Sequence, residues 1–316
     1  SPAGGQPAVA RTVSLLTSQA RALLVPGQDE PGSALPAASA AASAASRSSP
    51  PAASAPSQPP AAAASTAASP PVTAALLATE LAASGSQRLA DAAMADGGIA
   101  RLLAAVGTAQ LLQASSLAAA AGVPVPDVSD PAAPQLSGAC PSASASPSSS
   151  SSPSSAGDAS ARGGASAGKD PAPASLPAAL AATVETELET VYGYQVALTR
   201  LGDEAAGPAS KQLARHEALA TGAEALSRMH CAPVPPREAG YKMTPDFLAS
   251  PADGLGGLEA SALPVYGDLV ALSEGETRQW AISGLVGAAR RSALWGADPG
   301  VLPGLTADPN GFPELP

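Results

Sequence analysis

Three ionisable residues in the C-terminal part of the chain stand where apolar residues are expected. Glu187, His216 and Glu259 each occupy the apolar face of a predicted helix. A polar group that faces the core of a helix bundle is costly unless it is paired. Carboxylate and imidazole groups can ligate a metal ion or hydrogen-bond to each other. The pattern therefore indicates either a metal site or a closed hydrogen-bond network.

The ligand spacing argues against a di-iron centre. Such a centre needs a Glu from each of two helices and a Glu-x-x-His motif from each of the other two. The residue three positions before His216 is Leu213, and the last predicted helix has no histidine and carries Arg278 on its apolar face. The sequence therefore predicts no metal ligands and no cofactor, although a single weak metal site stays open as an alternative.

A structural network is the preferred alternative. Counted from a common end of the predicted bundle, Tyr192 and Arg290 lie near the height of His216 and Glu259. The predicted buried polar cluster consists of Glu187, Tyr192, His216, Glu259 and Arg290, with Glu259 paired to Arg290 or to its neighbour Arg291. A pH-sensing role for His216 stays open. No catalytic residue is predicted, because adjacent helix residues such as His230 and Cys231 point apart.

The elements that must position this cluster are four helices with uneven connections. Apolar spacing predicts them over about residues 178–202, 208–230, 254–273 and 275–295. The first and last connections are short, whereas the middle one has roughly 23 residues and is rich in proline. A linker of that length can run along a helix of about 35 Å. The sequence therefore predicts an all-α fold with a ferritin-like four-helix bundle and one long crossover.

The N-terminal half alternates helical segments with Ala/Ser/Pro tracts. Proline breaks the tracts, and they contain too little apolar area to offset the chain entropy of folding, so they are predicted to be disordered linkers. Accessory helices are predicted on either side of the first tract, and those of 72–121 are expected to dock on the bundle. The predicted organisation is an N-terminal helix in 1–31, a spacer in 32–71, accessory helices in 72–121, a Ser-rich spacer in 122–176 and the four-helix domain in 177–316.

Charge and composition narrow the choice of partners. The net charge is −10 and no basic cluster occurs, so nucleic acid is not an expected partner. No run approaches the roughly 20 apolar residues of a membrane span. The Ser/Pro/Ala-rich start at Ser1 is typical of a chain whose export signal has been removed, and a lipid anchor upstream of Ser1 stays open. Cys140 and Cys231 could pair, but sequence alone fixes no geometry, and the question stays open.

The C-terminal 140 residues resemble a known group of proteins. The resemblance rests on the run AATVETELETVYGYQVAL, on His216 in LARHEAL, on LEASALPVYGDLV, and on Trp295-Gly296 followed by GFPELP. These motifs resemble an uncharacterised actinobacterial ferritin-like family that carries a domain of unknown function, often on predicted lipoproteins. The resemblance implies a four-helix ferritin-like domain, a cell-envelope location and no established activity.

Charge, predicted fold and resemblance together indicate a role outside catalysis. We expect a non-enzymatic, exported cell-envelope protein with a structural or interaction role and an unidentified protein partner. The alternative is a degenerate metal-binding or redox protein of the ferritin-like type.

Overall fold

The computed structural model describes residues 5–24, 73–126, 131–136, 140 and 175–306. These residues contain eight helices and no strand, which confirms the predicted all-α class. The helices are α1 (Gly5–Leu23), α2 (Ala74–Met94), α3 (Gly97–Ala121), α4 (Leu176–Leu198), α5 (Asp203–Met229), α6 (Pro245–Ala249), α7 (Pro251–Leu272) and α8 (Gly275–Leu294). The predicted spacer 32–71 and most of the spacer 122–176 lie outside the described residues.

Local signals set most helix boundaries. The side-chain oxygens of Thr73 and Ser175 each accept a hydrogen bond from the backbone N–H three residues further on, and so cap α2 and α4. The start of α5 differs from the prediction, because the helix begins at Asp203 rather than near Pro208. Acidic residues in its first turn stabilise the helix by interacting with the positive end of its dipole. A proline close to a helix start removes only one backbone hydrogen bond, so Pro208 is tolerated inside α5.

Side-chain hydrogen bonds and connection lengths reveal the directions of the four long C-terminal helices, α4, α5, α7 and α8. Tyr266 bonds to Glu187, and Tyr194 bonds to Glu259, so α4 and α7 run antiparallel. The four-residue connection after Leu198 makes α5 antiparallel to α4. Helices α5 and α7 are therefore parallel, and the segment between them, which includes α6, has to return along the bundle. Helix α8 packs antiparallel on α7 after a short turn.

Helices α1–α3 pack on these four helices. Gly85 and Gly107 face each other where α2 crosses α3, and a Cβ atom on either would lie within 3 Å of the other's carbonyl oxygen. Helix α3 contacts α7 and α8, helix α2 contacts α8, and α1 lies on α3. This is the docking that the sequence analysis expects, and it covers the leucine-rich faces of α2 and α3.

Two arginines tie the N-terminal helices to the rest of the fold. Arg101 on α3 donates to the carbonyl oxygen of Gly304 at 2.7 and 2.8 Å and pairs with Asp268 on α7. Arg278 on α8 donates to the carbonyl oxygens of Val270 and Ala95. These carbonyl groups lie where α7 and α2 end, and the end of a helix leaves backbone acceptors without a partner inside the helix.

Helix α3 is long and apolar enough to cross a membrane, although no segment of the sequence was predicted to be. In this fold 67% of its most apolar stretch is buried against other helices. A core helix has the same composition, so this feature is explained by packing, and the prediction that the chain has no membrane span is not tested by it.

Cys140 and Cys231 form a disulfide with their Cα atoms 5.2 Å apart. Cys231 follows the end of α5 and has a φ of 54°, a conformation that usually selects glycine at this position. The backbone N–H of the next residue, Ala232, reaches back to the carbonyl oxygen of Ser227 and completes the helix end. The pairing that sequence left open is therefore present, and it fastens residue 140 to the end of α5.

The close approach of α7 and α8 gives the first testable prediction. A Cβ atom at Gly284 would lie 2.0 Å from the ring of Tyr266, whereas one at Gly257 on the outer face of α7 would meet nothing within 4 Å. We expect Gly284→Ala to lower the free energy of unfolding by about 1–3 kcal/mol through overpacking. The matched control Gly257→Ala should raise it by about 0.5–1 kcal/mol. Urea unfolding of both variants measures the difference, and equal stabilities would contradict the packing described here.

Candidate functional site

The interior of the C-terminal helices contains a polar network around His216 on α5. Its Nδ1 lies 2.7 Å from Oε2 of Glu187 on α4, and its Nε2 lies 2.8 Å from Oε1 of Glu259 on α7. All three residues are 0% exposed. The imidazole therefore bridges two carboxylates from two different helices in a part of the core that water does not reach.

Each carboxylate also accepts a hydrogen bond from a tyrosine. Tyr266 on α7 donates to Oε1 of Glu187 at 2.7 Å, and Tyr194 on α4 donates to Oε1 of Glu259 at 2.8 Å. Each of α4 and α7 thus contributes one glutamate and, seven residues later, one tyrosine. Because the two helices are antiparallel, the glutamate of each meets the tyrosine of the other.

Arg291 on α8 supplies a second positive charge. Its Nε donates to both oxygens of Glu259 at 2.8 and 2.9 Å, and the residue is only 6% exposed. Two carboxylates, one guanidinium and one imidazolium give a balanced set of charges. Such balance is needed because an unpaired charge in a buried site is strongly destabilising.

The surroundings of His216 favour its charged form. Burial by itself lowers the pKa of an imidazole, but the hydrogen bonds and charges of Glu187 and Glu259 outweigh burial and raise the pKa of His216 above 6.5. The geometry gives the same answer, since a neutral imidazole has one ring N–H and would leave its other nitrogen lone pair facing a carboxylate oxygen. His216 therefore donates from both nitrogens.

The partners of His216 have protonation states that fit this arrangement. Burial opposes ionisation of Glu259, but the hydrogen bond from His216 and the charge of Arg291 lower the pKa of its carboxyl group below 4.5. Burial and the neighbouring carboxylates raise the pKa values of Tyr194 and Tyr266 above their usual 10. Both phenols thus stay protonated and act as donors.

Aromatic rings enclose the network. The ring of Tyr194 stacks on the imidazole of His216 with 5.1 Å between centroids, and its hydroxyl group accepts a hydrogen bond from Nε1 of Trp295 at 2.8 Å. Trp280 packs on Tyr266 at 5.7 Å. These rings hold the donor groups in place and exclude solvent from the charges.

Three of the five predicted cluster residues, Glu187, His216 and Glu259, meet in the structure. Tyr192 and Arg290 do not join them. Tyr192 is half-buried beside Tyr241, with 5.8 Å between ring centroids, and Arg290 faces α2 and α3, where it lines a small cavity. Of the two arginines predicted to pair with Glu259, Arg291 forms the ion pair.

The error has a simple cause. Similar height along the bundle does not fix the direction in which a side chain points: Tyr192 and Tyr194, two positions apart, point about 200° apart, and the adjacent Arg290 and Arg291 point about 100° apart. The signal that identifies the tyrosines is the seven-residue spacing from each glutamate, which places Tyr194 and Tyr266 on the same faces as Glu187 and Glu259. Trp295, which was part of the resemblance only, also belongs to the site.

The carboxylate oxygens and imidazole nitrogens of this site, which are the atoms that could ligate a metal ion, are already engaged in hydrogen bonds. Both imidazole nitrogens are bound by carboxylates, and the oxygens of both carboxylates accept hydrogen bonds from side chains of the network. Within the described parts of the chain, no group of three or more His, Cys, Asp or Glu residues has an arrangement that could hold a metal ion.

Comparison with known proteins places the network inside a family match. Residues 179–307 match the model of a family described as a domain of unknown function, DUF4439. This segment begins in α4 and contains every residue of the network, and it agrees with the resemblance in pointing to an uncharacterised domain. No curated protein and no solved structure matches the chain.

The charged form of His216 predicts a stability optimum in mildly acidic solution. A raised pKa for His216 means that its contribution is complete below about pH 6.5 and is lost as the pH rises through the folded-state value. A lowered pKa for Glu259 means that its contribution is present above about pH 4.5 and is lost as the pH falls through its folded-state value. The network should therefore stabilise the fold most between about pH 4.5 and 6.5.

Urea unfolding across this pH range measures the stability, and ¹⁵N NMR of the two histidines reports protonation directly. The variant His230→Gln assigns the remaining signal to His216. We expect both ring nitrogens of His216 to carry protons at pH 6. A neutral imidazole at that pH would refute the charge assignment.

Removing the charge of Glu259 should be costly. In Glu259→Gln the side chain keeps its size, but Arg291 and His216 lose their shared counter-charge in the core. Breaking a buried ion pair from one side costs about 3–5 kcal/mol. The control Glu217→Gln neutralises an exposed glutamate on α5 and should change the free energy of unfolding by less than about 0.5 kcal/mol. Equal stabilities of the two variants would contradict a structural role for the network.

Proposed function

We propose that residues 175–306 form a ferritin-like four-helix domain whose centre is occupied by an ion-pair network in place of metal ions. The protein then has a non-enzymatic role, as a structural or interaction protein. The observation that carries this proposal is that both nitrogens of His216 are bound by carboxylates in a fully buried site. No acid, base or ligand of the network is left to act on a substrate.

The ferritin-like assignment is supported by the helix directions. Helices α4 and α5 form one antiparallel hairpin, α7 and α8 form another, and a long connection makes α5 and α7 parallel. One long crossover between two hairpins is the arrangement of ferritin-like folds. Glu187 and Glu259 stand on the first helix of each hairpin, where such folds place single carboxylates.

Export to the cell envelope is supported by the disulfide. Disulfides persist in oxidising surroundings and are rare in reducing cytosol. The Cys140–Cys231 bond spans 91 residues of sequence, so its formation affects a large part of the chain. Anchoring through a lipid upstream of Ser1 fits the same location and is part of the proposal.

A role in protein interaction fits the charge of the chain better than nucleic-acid binding. The net charge is −10, whereas nucleic-acid-binding surfaces are strongly basic. The C-terminal helices and the docked helices α1–α3 provide a rigid body from which an exported protein can present surfaces to a protein partner.

Metal analysis separates this proposal from a degenerate metal-binding or redox bundle. The oxidised full chain is incubated with Fe²⁺, Mn²⁺ or Zn²⁺, desalted and measured by plasma mass spectrometry, together with Glu187→Gln, Glu259→Gln and the control Glu217→Gln. We expect less than about 0.1 metal ion per chain in every sample, because the imidazolium and guanidinium already neutralise the carboxylates. Stoichiometric metal that is lost in the first two variants and kept in the control would overturn the proposal.

A further inference from the structure

A cavity of about 460 Å³ lies between α2, α8 and the segment 131–136. Its apolar lining includes Leu89, Ala93 and Met94 from α2, Ile282 from α8, and Pro131. Among the lining residues that the structure describes, Ser86 and Gln279 are polar and none is charged. Both its size and its composition are those of small-molecule sites, which are concave, mostly apolar and a few hundred Å³ in volume.

The wall formed by Pro131 belongs to a segment that is fastened to the fold. Leu136 packs against the main hydrophobic core, and Cys140 is bonded to Cys231 at the end of α5. Cys231 has a left-handed backbone conformation, at which glycine is usually preferred. The disulfide, and not the backbone conformation, therefore accounts for a cysteine at this position. The cavity is thus bounded by two helices and by the segment 131–136, and Cys140, four residues further along the chain, is covalently held.

The polar groups of the lining restrict the ligand. Ser86 already donates its hydroxyl proton to the carbonyl oxygen of Ala82, whereas Gln279 is exposed and free to present its amide at the rim. A charged ligand would find no counter-charge among the described lining residues and would lose its hydration on entry. The flexible thioether of Met94, which is 86% exposed, can adapt to different apolar shapes.

The volume also restricts the ligand. An α-helix about 10 Å across with a pitch of 5.4 Å fills roughly this volume with a single turn. A helical partner segment would therefore extend far beyond the cavity, whereas an alkyl chain fits within it.

We propose that this cavity binds an uncharged, chain-like apolar molecule that carries one polar group, such as a long-chain alcohol or ester. The hydrocarbon part contacts Leu89, Ala93 and Ile282, and the polar group meets the amide of Gln279 at the rim. This site is separate from the network around His216 and goes beyond the structural role proposed for the domain.

Binding of a neutral fluorescent probe tests the proposal on the oxidised full chain. The probe is N-phenyl-1-naphthylamine, titrated and followed by its fluorescence. In Ala90→Trp a large ring enters the cavity from an exposed position of its lining, and we expect binding at least tenfold weaker. The matched control Ala218→Trp changes an exposed alanine on α5, away from the cavity, and should bind as the wild type does.

Competition identifies the chemical class of the ligand. We expect 1-decanol to displace the probe at concentrations at least tenfold lower than decanoate, because only the carboxylate needs a counter-charge. Reduction of the disulfide with dithiothreitol, or the double change Cys140→Ser and Cys231→Ser, should weaken probe binding at least threefold, because Cys140 no longer fastens the chain that follows the segment 131–136. Circular dichroism confirms that these proteins remain helical.

Three outcomes would overturn the proposal. The first is the absence of saturable probe binding to the wild type. The second is equal binding by Ala90→Trp and Ala218→Trp, which would place the probe elsewhere on the surface. The third is displacement by decanoate as effective as displacement by 1-decanol, which would contradict an uncharged site.

Discussion

The structure of the C-terminal helices depends on a charged imidazole held between two buried carboxylates. His216 donates to Glu187 and Glu259, which come from different helices, and the second carboxylate also binds Arg291 from the last helix. Each of the four helices α4, α5, α7 and α8 therefore contributes at least one charge. None of them can shift without leaving a charge unpaired in the core, so the network fixes the register of the bundle more strictly than apolar contacts alone would.

Close packing around this network follows from small residues. Gly284 allows the ring of Tyr266 to reach α8, and Gly193 allows α7 to approach α4 through Leu258. The same device joins α2 to α3 at Gly85 and Gly107. In a chain with 3% aromatic residues and many alanines, close helix approach gives van der Waals contact that larger side chains provide elsewhere. Four of the eight aromatic residues, Tyr194, Tyr266, Trp280 and Trp295, surround the charges and exclude water from them.

The match to an uncharacterised domain family covers some of these contacts and not others. The matched segment, residues 179–307, contains both hairpins and the whole network. It excludes α1–α3 and the part of the cavity lining that α2 and the segment 131–136 supply. The proposed structural role thus belongs to the matched segment, whereas the proposed apolar site depends in part on helices outside it.

Local sequence determined the helical class, most helix boundaries and the three polar residues of the core, because apolar periodicity and capping are properties of neighbouring residues. Height along the bundle selected neither Tyr194 over Tyr192 nor Arg291 over Arg290, since height does not fix the direction in which a side chain points. The seven-residue spacing from Glu187 favours Tyr194, whereas the sequence carries no such signal for Arg291. The bond between Cys140 and Cys231 also required the fold, as 91 residues separate the two positions. Which donors meet which acceptors was decided only by tertiary structure, because hydrogen bonds require distances and angles that sequence spacing does not specify across helices.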